Sequence, residues 1–476
     1  MTSNGNNASS LKRSTRREFL GQTTVAVAAA SALANASRAS EKPVQKVTTR
    51  VLGANDRINV AFIGCGMRYQ NLMRTFQARK EKRGDVECSA LCDVWEPRLK
   101  FAQDKVKAEK TYKDHQEIVQ RSDIDGVVIA VPDHWHYLMA RDVLQSGKDV
   151  YLEKPMTYTI DEGAKLNDLV SQAKRILQVG GSGPATRLNW KINEYVKAGK
   201  MGKILWALIS YNRNTDTGMW DYPIPGVGNQ HWADAEVSEK NLDWKTWLGP
   251  ARSRAFSPER YFRWRKYWEY SGGNATDLLY HRLGAVSTMI GFDFPTQVVS
   301  AGGIYIQKDR EVPDTYMTQV EYPGEYCVNM ISCMGNATSA PVSVYGNWGT
   351  LEVAQGQADA GEAAGDQQRA PRQGGRARAV VRAERQFLDK FKEANGGRTE
   401  VTIEEGPGED LMDNWLNCMR SREVPVYNVL RGYQVMVAIR LGVDSYREGR
   451  AMAFDPATRR VLPKPPARKA FLPAGA

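Results

Sequence analysis

The chain has 476 residues, of which 42% are hydrophobic and 25% are charged. This is the composition of an ordinary soluble globular protein that is long enough for two domains with substantial cores. The formal charge of +11 is concentrated in the N-terminal segment and in six arginines between Arg369 and Arg385. Because no basic helix or groove motif accompanies this local excess, we expect no nucleic-acid partner.

Cysteine and histidine usage argues against a metal site. The six cysteines and five histidines show no spacing typical of metal ligands, and the cysteines form no dense disulfide framework. The chain is expected to fold in a reducing compartment, as argued next, so we expect free thiols and no bound metal.

Residues 1–39 have the features of a twin-arginine signal peptide. The pair Arg16 and Arg17 is followed by small uncharged residues up to Ala34, and small-residue cleavage positions extend to Ala39. This run is too short and too weakly apolar for a permanent membrane anchor. We therefore expect the twin-arginine export machinery to carry the folded protein to the periplasm or otherwise out of the cytoplasm.

After a polar linker at residues 40–55, residues 56–182 alternate short apolar runs with amphipathic stretches. This alternation predicts a parallel sheet with crossover helices, the architecture of a Rossmann dinucleotide-binding domain. The predicted strands are Asn59–Ile63, Val86–Cys92, Gly126–Ala130, Asp149–Leu152 and Ile176–Val179. The predicted helices between them include Arg98–Lys107 and Tyr137–Ser146.

Residues 183–476 are predicted to form a second, α+β domain for substrate binding and oligomerisation. Strand-like runs joined by turns indicate an open, mostly antiparallel sheet. The runs are Val298–Ile306, Thr315–Tyr322, Cys327–Met334 and Val342–Gly346, and the closing helices are Asp410–Met419 and Gly432–Arg447. Residues 354–397 are rich in Gly, Ala, Gln and Arg, which predicts a long flexible insertion with a helix over Ala383–Glu393. The fold class is therefore α/β.

Gly64-Cys65-Gly66 follows the first predicted strand and precedes a helix that starts near Met67, which is the context of a dinucleotide-binding turn. The glycines let the backbone approach a pyrophosphate, and the helix N-terminus offers N–H groups to it. Tyr69 departs from the small third residue of the full pattern. Asp93 ends the second strand, where a carboxylate binds ribose hydroxyls and repels a 2′-phosphate. NAD is therefore favoured over NADP, although Arg98 nearby makes this preference less sharp.

Two further motifs follow predicted strands. The strand at 126–130 runs into a loop from Pro132 to His136, and the strand at 149–152 ends in Glu153-Lys154-Pro155. Ligands of open α/β sheets bind at the carboxyl ends of the strands. We therefore expect both loops to face one crevice.

The third motif runs from Gly272 to His281, with the sequence GGNATDLLYH. Its glycine pair predicts a turn, followed by a helix with Asn274 as the N-cap. Asp277 and His281 are four residues apart and are expected on one helix face. Hydride leaves a carbinol carbon only as the hydroxyl proton is removed, and an imidazole near neutral pH can take that proton. A nearby lysine ammonium would stabilise the developing alkoxide.

Together these motifs resemble the Gfo/Idh/MocA family, which includes glucose–fructose oxidoreductase and inositol dehydrogenase. The resemblance covers about Asp56 to Asp455 apart from the insertion. It implies that Lys154 reaches the nicotinamide ribose and the reacting hydroxyl. Glu153, and Pro132 and His136 of the preceding loop, are then the neighbouring cofactor contacts.

The same resemblance implies roles for the third motif. His281 would act as acid and base on the sugar hydroxyl, and Asp277 would orient it or bind the substrate. The family often has glycine where Leu279 stands here. In glucose–fructose oxidoreductase a tyrosine takes the place of the histidine, so Tyr280 is expected to be at most a helper at the substrate.

Six aromatic residues and three arginines alternate between Arg260 and Tyr270. Flat rings stack on pyranose rings, and guanidinium groups bind hydroxyls or carboxylates. The cluster is therefore a candidate carbohydrate site, in which Trp264 and Arg265 join Tyr280 as predicted substrate contacts. Packing in the core or between subunits is the alternative explanation.

We interpret the sequence as an exported NAD-dependent oxidoreductase of a sugar, sugar derivative or polyol. The space outside the inner membrane holds no free NAD pool, so export favours a cofactor that is bound beforehand and recycled on the same protein. The alternative is an NAD-dependent glycoside hydrolase that works by transient oxidation, elimination, hydration and re-reduction, which needs no pair of glycosidase carboxylates. A third class is a non-catalytic NAD-bound sensor. The open sheet typical of the family predicts a homodimer or homotetramer.

Overall fold

The computed structural model describes residues 53, 56–224, 235–354 and 377–465. The predicted signal peptide, the predicted linker apart from Gly53 and residues 355–376 of the predicted insertion lie outside the described residues. Within the described ranges, no helix is both long enough and apolar enough to cross a bilayer. The six cysteines are all free thiols.

The first sheet forms from short apolar runs that are mostly buried on both faces, as expected for parallel strands covered by helices. Its strands are β1 Ile58–Ile63, β2 Val86–Cys92, β3 Lys110–Tyr112, β4 Gly126–Ile129, β5 Asp149–Leu152 and β6 Leu177–Val179. All are parallel, in the order β3-β2-β1-β4-β5-β6. Strands β2 and β3 are added on one side of β1, whereas β4, β5 and β6 are added on the other side. This change in strand order between β1 and β4 opens a crevice at their carboxyl ends. The predicted Rossmann domain is confirmed.

The helices of this domain carry recognisable start and stop signals. They are α1 Met67–Arg83, α2 Glu96–Val106, α3 His115–Val119, α4 His136–Gln145 and α5 Ile160–Ala173. Helix α1 ends at Gly84, whose φ of 66° is the left-handed conformation that glycine adopts without strain. Helix α5 begins with a capping box between Thr159 and Glu162.

The second sheet has ten strands and is mostly antiparallel, as predicted. The strands are β7 Ile204–Ser210, β8 Gln297–Gly303, β9 Thr315–Tyr322, β10 Tyr326–Cys333, β11 Ser343–Gly346, β12 Gly349–Val353, β13 Arg378–Ala383, β14 Glu400–Glu404, β15 Met452–Asp455 and β16 Arg460–Leu462. Their order is β14-β13-β12-β11-β7-β10-β9-β8-β15-β16. Strands β7 and β10 are parallel, and the other neighbouring pairs are antiparallel.

One long helix packs on both sheets. The remaining helices are α6 Ser182–Ala185, α7 Arg187–Lys197, α8 Trp244–Leu248, α9 Pro258–Phe262, α10 Tyr280–Ile290, α11 Leu388–Ala394, α12 Leu411–Ser421 and α13 Val429–Glu448. A side chain at Gly432 of α13 would lie 2.7 Å from Val179 of β6, and one at Gly442 would lie 2.5 Å from the Tyr316 hydroxyl of β9. Helix α13 therefore needs glycine at both crossings, and it holds the two sheets together.

The structure contains elements that the sequence pattern did not predict, and the helix predicted over Ala383–Glu393 begins only at Leu388. The unpredicted strands are β3, β7, β12, β13, β14, β15 and β16. Strand β3 is short and partly exposed, so it has no apolar run from which a strand could be predicted. Strand β13 lies inside the predicted flexible insertion and pairs with β12 and β14. The flexible segment predicted for 354–397 is therefore wrong for residues 377–397. Backbone hydrogen bonds to two neighbouring strands offset the weakly apolar composition there.

Candidate functional site

A cavity of about 1070 Å³ opens at the carboxyl ends of β1, β2, β4 and β5. Both domains contribute to its wall. Of the residues predicted for the cofactor, catalysis and the substrate, ten line it: Gly64, Gly66, Met67, Asp93, Pro132, Glu153, Lys154, Trp264, Arg265 and Asp277. His136, Tyr280 and His281 do not contribute to its described wall.

The turn after β1 fits a pyrophosphate. Gly64 has a φ of 87°, and a Cβ there would lie 2.3 Å from the carbonyl oxygen of Ala130, so only glycine allows this approach. Helix α1 starts at the cavity without a side-chain cap and without an acidic residue in its first turn. Its first N–H groups and the positive end of its dipole are therefore available to an anion.

Asp93 is fixed at the end of β2 by backbone donors. Its Oδ2 accepts from the N–H of Cys65 at 2.7 Å, and its Oδ1 accepts from the N–H of Trp95 at 2.9 Å. Each carboxylate oxygen can accept a second hydrogen bond. The carboxylate is thus both positioned and still able to accept a ribose hydroxyl, as the sequence predicts.

Arg98 also lines the cavity. Its Nη1 donates to the Tyr261 hydroxyl at 2.9 Å, and its guanidinium lies 5.4 Å from the ring centre of Trp95 and 5.2 Å from that of Tyr261. Cation–π contacts of this kind hold a buried guanidinium in one position. The charge that makes the preference for NAD less sharp therefore lies at the cavity itself.

The Glu-Lys-Pro loop after β5 carries two charged side chains with different partners. Glu153 accepts from Nε of Arg68, in the first turn of α1, at 2.7 Å. A side chain at Gly180 would lie 2.7 Å from the same carboxylate, so the glycine leaves Glu153 its space. This ion pair ties the loop to the helix that faces the predicted pyrophosphate.

Lys154 and Asp277 form the centre of the site. Lys154 Nζ donates to the Asp277 carbonyl oxygen at 2.7 Å and to its Oδ1 at 3.2 Å, and Arg265 Nε donates to the same Oδ1 at 2.9 Å. Burial raises the pKa of Asp277, but the charges of Arg265 and Lys154 outweigh it and hold that pKa far below its usual range. Asp277 is therefore a permanent carboxylate that orients two cations.

Trp220 completes this arrangement from a loop that the sequence does not single out. Its indole Nε1 donates to Asp277 Oδ2 at 2.9 Å, and its φ of 66° is left-handed, a conformation that non-glycine residues rarely adopt. The next residue, Asp221, accepts hydrogen bonds from Lys266 and from Arg310, both of them fully buried at the side chain. These ion pairs hold the strained loop against the cavity.

The third motif departs from a plain helix. Ala275–Leu279 form a turn of π-helix, in which hydrogen bonds span five residues rather than four. Asp277 and Arg282, five residues apart, both line the cavity, whereas His281 is 4% exposed. The prediction that Asp277 and His281 share the functional face of an α-helix thus differs from the structure, because a spacing of four aligns side chains only at 3.6 residues per turn. The proposed catalytic role of His281 stays a prediction.

Three other predicted side chains act within the fold. His136 is fully buried, and its ring nitrogens lie against the carbonyl oxygens of Val131 and Pro155, so it joins the two motif loops instead of lining the cavity. Tyr280 is 1% exposed and donates to the Gly432 carbonyl at 3.2 Å, away from the described wall. Asn274 donates to Ser332 Oγ at 3.1 Å instead of capping a helix.

Asp133 is a functional candidate that the sequence analysis left without a role. It follows Pro132 in the loop after β4, is 3% exposed and lines the cavity. Its Oδ2 accepts from the Thr276 hydroxyl at 3.1 Å. The sequence signal for this candidate was an acidic residue at the carboxyl end of a predicted strand. The sequence did not show that Asp133 is buried, because its burial depends on the second domain.

The aromatic cluster is mainly a core. Buried rings from residues 244–270 pack on Trp95 of the first domain, and their members include Trp244, Trp247, Tyr261 and Tyr270. Trp264 and Arg265 lie in the cavity wall, as the carbohydrate hypothesis requires. Packing, the alternative explanation, therefore accounts for most of the cluster.

Comparison with known proteins gives a consistent family. Two family models match: "Oxidoreductase family, NAD-binding Rossmann fold" over residues 58–181 and "Oxidoreductase family, C-terminal alpha/beta domain" over residues 251–454. The chain is 24% identical over 259 residues to glycosyl hydrolase family 109 protein 1 of Shewanella sp. strain ANA-3, which covers 51% of this chain and 52% of the relative. It is also 24% identical over 348 residues to an α-N-acetylgalactosaminidase of Shewanella oneidensis, covering 68% of this chain and 67% of the relative. The chain thus spans about half the length of the first of these curated relatives.

Solved structures share the fold at low sequence identity. The WlbA dehydrogenase of Bordetella pertussis, in complex with NADH and UDP-GlcNAcA, superposes with a TM-score of 0.57 at 17% identity, over 84% of this chain and 99% of that chain. An aldose-aldose oxidoreductase from Caulobacter crescentus, complexed with glycerol, superposes with a TM-score of 0.58 at 17% identity, over 84% and 100% of the two chains.

Proposed function

This chain belongs to the Gfo/Idh/MocA oxidoreductase family, and from that premise we propose that it is an NAD-dependent oxidoreductase acting on the CH–OH group of a sugar, a sugar derivative or a polyol. The observation that carries the proposal is the Lys154–Asp277 pair in the wall of a cavity whose other end fits a dinucleotide. An ammonium group beside the reacting hydroxyl stabilises negative charge on oxygen, which is where charge develops when an alcohol is oxidised.

The residues present fit a dinucleotide, and each has a role in holding one. The N-terminus of α1 and Gly64 would hold the pyrophosphate, and Asp93 would hold the adenosine ribose. Bound nicotinamide supplies a hydride acceptor and donor. Lys154 would bind and polarise the hydroxyl oxygen, and Asp277 would orient Lys154. His281, to which the family resemblance assigns the proton, does not contribute to the described wall.

We also propose that the cofactor stays bound through export and turnover. In support, the second domain contributes Thr246, Trp247, Tyr261 and Phe262 to the wall of the cavity that Asp93 also lines. The segment that leads into Thr246 and Trp247 is hydrogen-bonded to the first domain, where the Asp243 N–H donates to the Val94 carbonyl at 2.9 Å.

Export itself is tested by fractionating cells that express the full chain, beside cells that express a variant with lysine in place of Arg16 and Arg17. Retention of both proteins in the cytoplasm would contradict export.

A second candidate function is an NAD-dependent glycoside hydrolase. The relatives named as glycosyl hydrolase family 109 proteins and as an α-N-acetylgalactosaminidase favour it. The same Lys154–Asp277 centre serves this chemistry, because transient oxidation of a ring hydroxyl is its first step. Release of an aglycone without net change in NADH separates the hydrolase from the oxidoreductase, which accumulates an oxidised sugar.

Lys154→Met tests the catalytic centre. We expect kcat/KM for a carbohydrate substrate to fall by about a thousandfold, since the charge that stabilises the alkoxide is lost. The matched control is Lys165→Met, which removes an exposed lysine of α5 that is paired with Asp161 and does not line the cavity. Unchanged turnover of Lys154→Met would remove Lys154 from the mechanism.

We propose a homodimer or homotetramer that associates through the open face of the second sheet. Val299 of β8 and Met317 of β9 point outward on that face and are 43% and 49% exposed. Trp206 and Tyr345 stack on it with ring centres 3.7 Å apart. Sedimentation velocity at micromolar concentration tests the assembly, and a single monomer boundary would contradict it.

A further inference from the structure

We propose that Asp133 is a further proton-transferring group of this site: its carboxylate takes the hydroxyl proton of the carbohydrate on oxidation and returns it on reduction, while Thr276 is the residue that positions it. This inference rests on the proposed oxidoreductase function. It assigns the proton step to a side chain in the described cavity wall.

The fold brings Asp133 to the reacting end of the cavity. Strands β4 and β5 are neighbours, and the loops at their carboxyl ends carry Asp133 and Lys154. The π-helical turn that carries Asp277 also carries Thr276, which donates to Asp133. Asp133 therefore lies between the loop of one domain and the motif of the other, at the place where Lys154 meets Asp277.

The Thr276 hydroxyl fixes one oxygen of Asp133. The Gly272 N–H donates to Thr276 Oγ1 at 2.9 Å, and the shortest acceptor contact of the hydroxyl is Asp133 Oδ2 at 3.1 Å. The Ser271 hydroxyl at 3.4 Å and the Gly273 carbonyl at 3.5 Å are longer alternatives. With Oδ2 engaged by Thr276, we assign Oδ1 as the oxygen that takes the proton of a ligand in the cavity that Asp133 lines.

Electrostatics leave Asp133 able to change protonation state, unlike Asp277. Burial raises the pKa of Asp133 to about 7; Arg265 and Lys154 lower it, Asp277 raises it, and the Thr276 hydrogen bond lowers it. Both forms are therefore populated near neutral pH, which suits a group that accepts and returns a proton. Asp277 cannot take this role, because Lys154, Arg265 and the indole of Trp220 hold it ionised.

The proton step balances with the hydride step. On oxidation the substrate O–H bond breaks and an O–H bond forms on Asp133, while the carbinol C–H bond gives its hydride to the oxidised nicotinamide dinucleotide and a carbonyl results. On reduction the protonated Asp133 gives its proton to the oxygen that receives the hydride at its carbon. In oxidation the active form is the carboxylate, so kcat/KM rises with pH through the pKa of Asp133.

The test combines a pH profile with a direct titration in the holoenzyme. We expect wild type to show a rising limb in kcat/KM for oxidation near pH 7, and Asp133→Asn to lose that limb and about a hundredfold of the rate at pH 8. The infrared carboxyl band that wild type loses between pH 5 and 9 should be smaller by one group in Asp133→Asn; Asp149, whose pKa burial raises to about 6, contributes to the band in both proteins. The difference between the two proteins reports the protonation of Asp133 independently of turnover.

Thr276→Val keeps the test decisive if Asp133→Asn does not fold. Loss of a hydrogen bond to the charged form should move the rising limb and the infrared titration upward by about one pH unit, and Thr276→Ser should restore both. A limb retained in Asp133→Asn but lost in His281→Asn would overturn the proposal and give the step to His281. Wild type that titrates as described but oxidises no carbohydrate would instead contradict the proposed function.

Discussion

Asp133 couples the stability of the fold to pH. Burial raises its pKa from 3.8 to about 7, so between these values the folded protein holds a proton that the unfolded chain has released. Stability therefore falls as pH rises through this window and is level above it. We expect the gain in unfolding free energy of Asp133→Asn over wild type to be about 2 kcal/mol larger at pH 8 than at pH 5. Urea denaturation at both values checks this, and an equal gain at both would contradict it.

Some residues of the site could be predicted from the sequence, and others could not. Lys154 and Asp277 were predictable because each lies in a motif whose backbone context is local. Trp220 was not, since its importance depends on a left-handed backbone and on an acceptor 57 positions away. The position of Asp133 in the loop after a predicted strand could be read from the sequence. Its burial and its hydrogen bond to Thr276 could not, because both depend on the second domain.

At the scale of elements, continuous apolar runs predicted the central strands to within about one residue, because both of their faces are covered. Several strands were missed, and among them β3 and β13 form because of pairing with neighbouring strands rather than because of an apolar composition. The π-helical turn was also missed. Predicting that two residues share a helix face from their spacing assumes 3.6 residues per turn. No feature of the sequence at 272–281 indicates the wider turn that the structure has there.

Helix α1 is held against α12 by one buried guanidinium. Arg79 is 4% exposed, and it donates to Asp85 at 2.7 Å and to Asp413 of α12 at 3.0 Å. We expect Arg79→Met to lower the unfolding free energy by about 2 kcal/mol, less than for a fully buried pair because both carboxylates are partly exposed. Arg83→Met, at the exposed end of the same helix, is the control. Equal midpoints in urea for the two variants would show that the network contributes nothing.

At the scale of the whole molecule, the contribution of both domains to the wall near Asp93 leads us to expect slow exchange of the cofactor. Purified protein should release about one NAD(H) per chain on denaturation after extensive dialysis. Phe262→Ala should release it in dialysis, because this side chain belongs to the wall and packs on Trp95 at 5.2 Å between ring centres. Phe256→Ala, which trims the same cluster behind Trp244, is the control. Wild type that dialyses empty would contradict retention.

The Lys154–Asp277 hydrogen bond joins residues 123 positions apart in the chain. During synthesis the ribosome finishes the first domain, which ends at residue 182, and 95 further residues up to Asp277 before the centre can assemble. A chain that ends before Asp277 therefore has Lys154 without the carboxylate that orients it. Under the proposed function, turnover requires both domains, so a catalytic assay also reports assembly of the whole molecule.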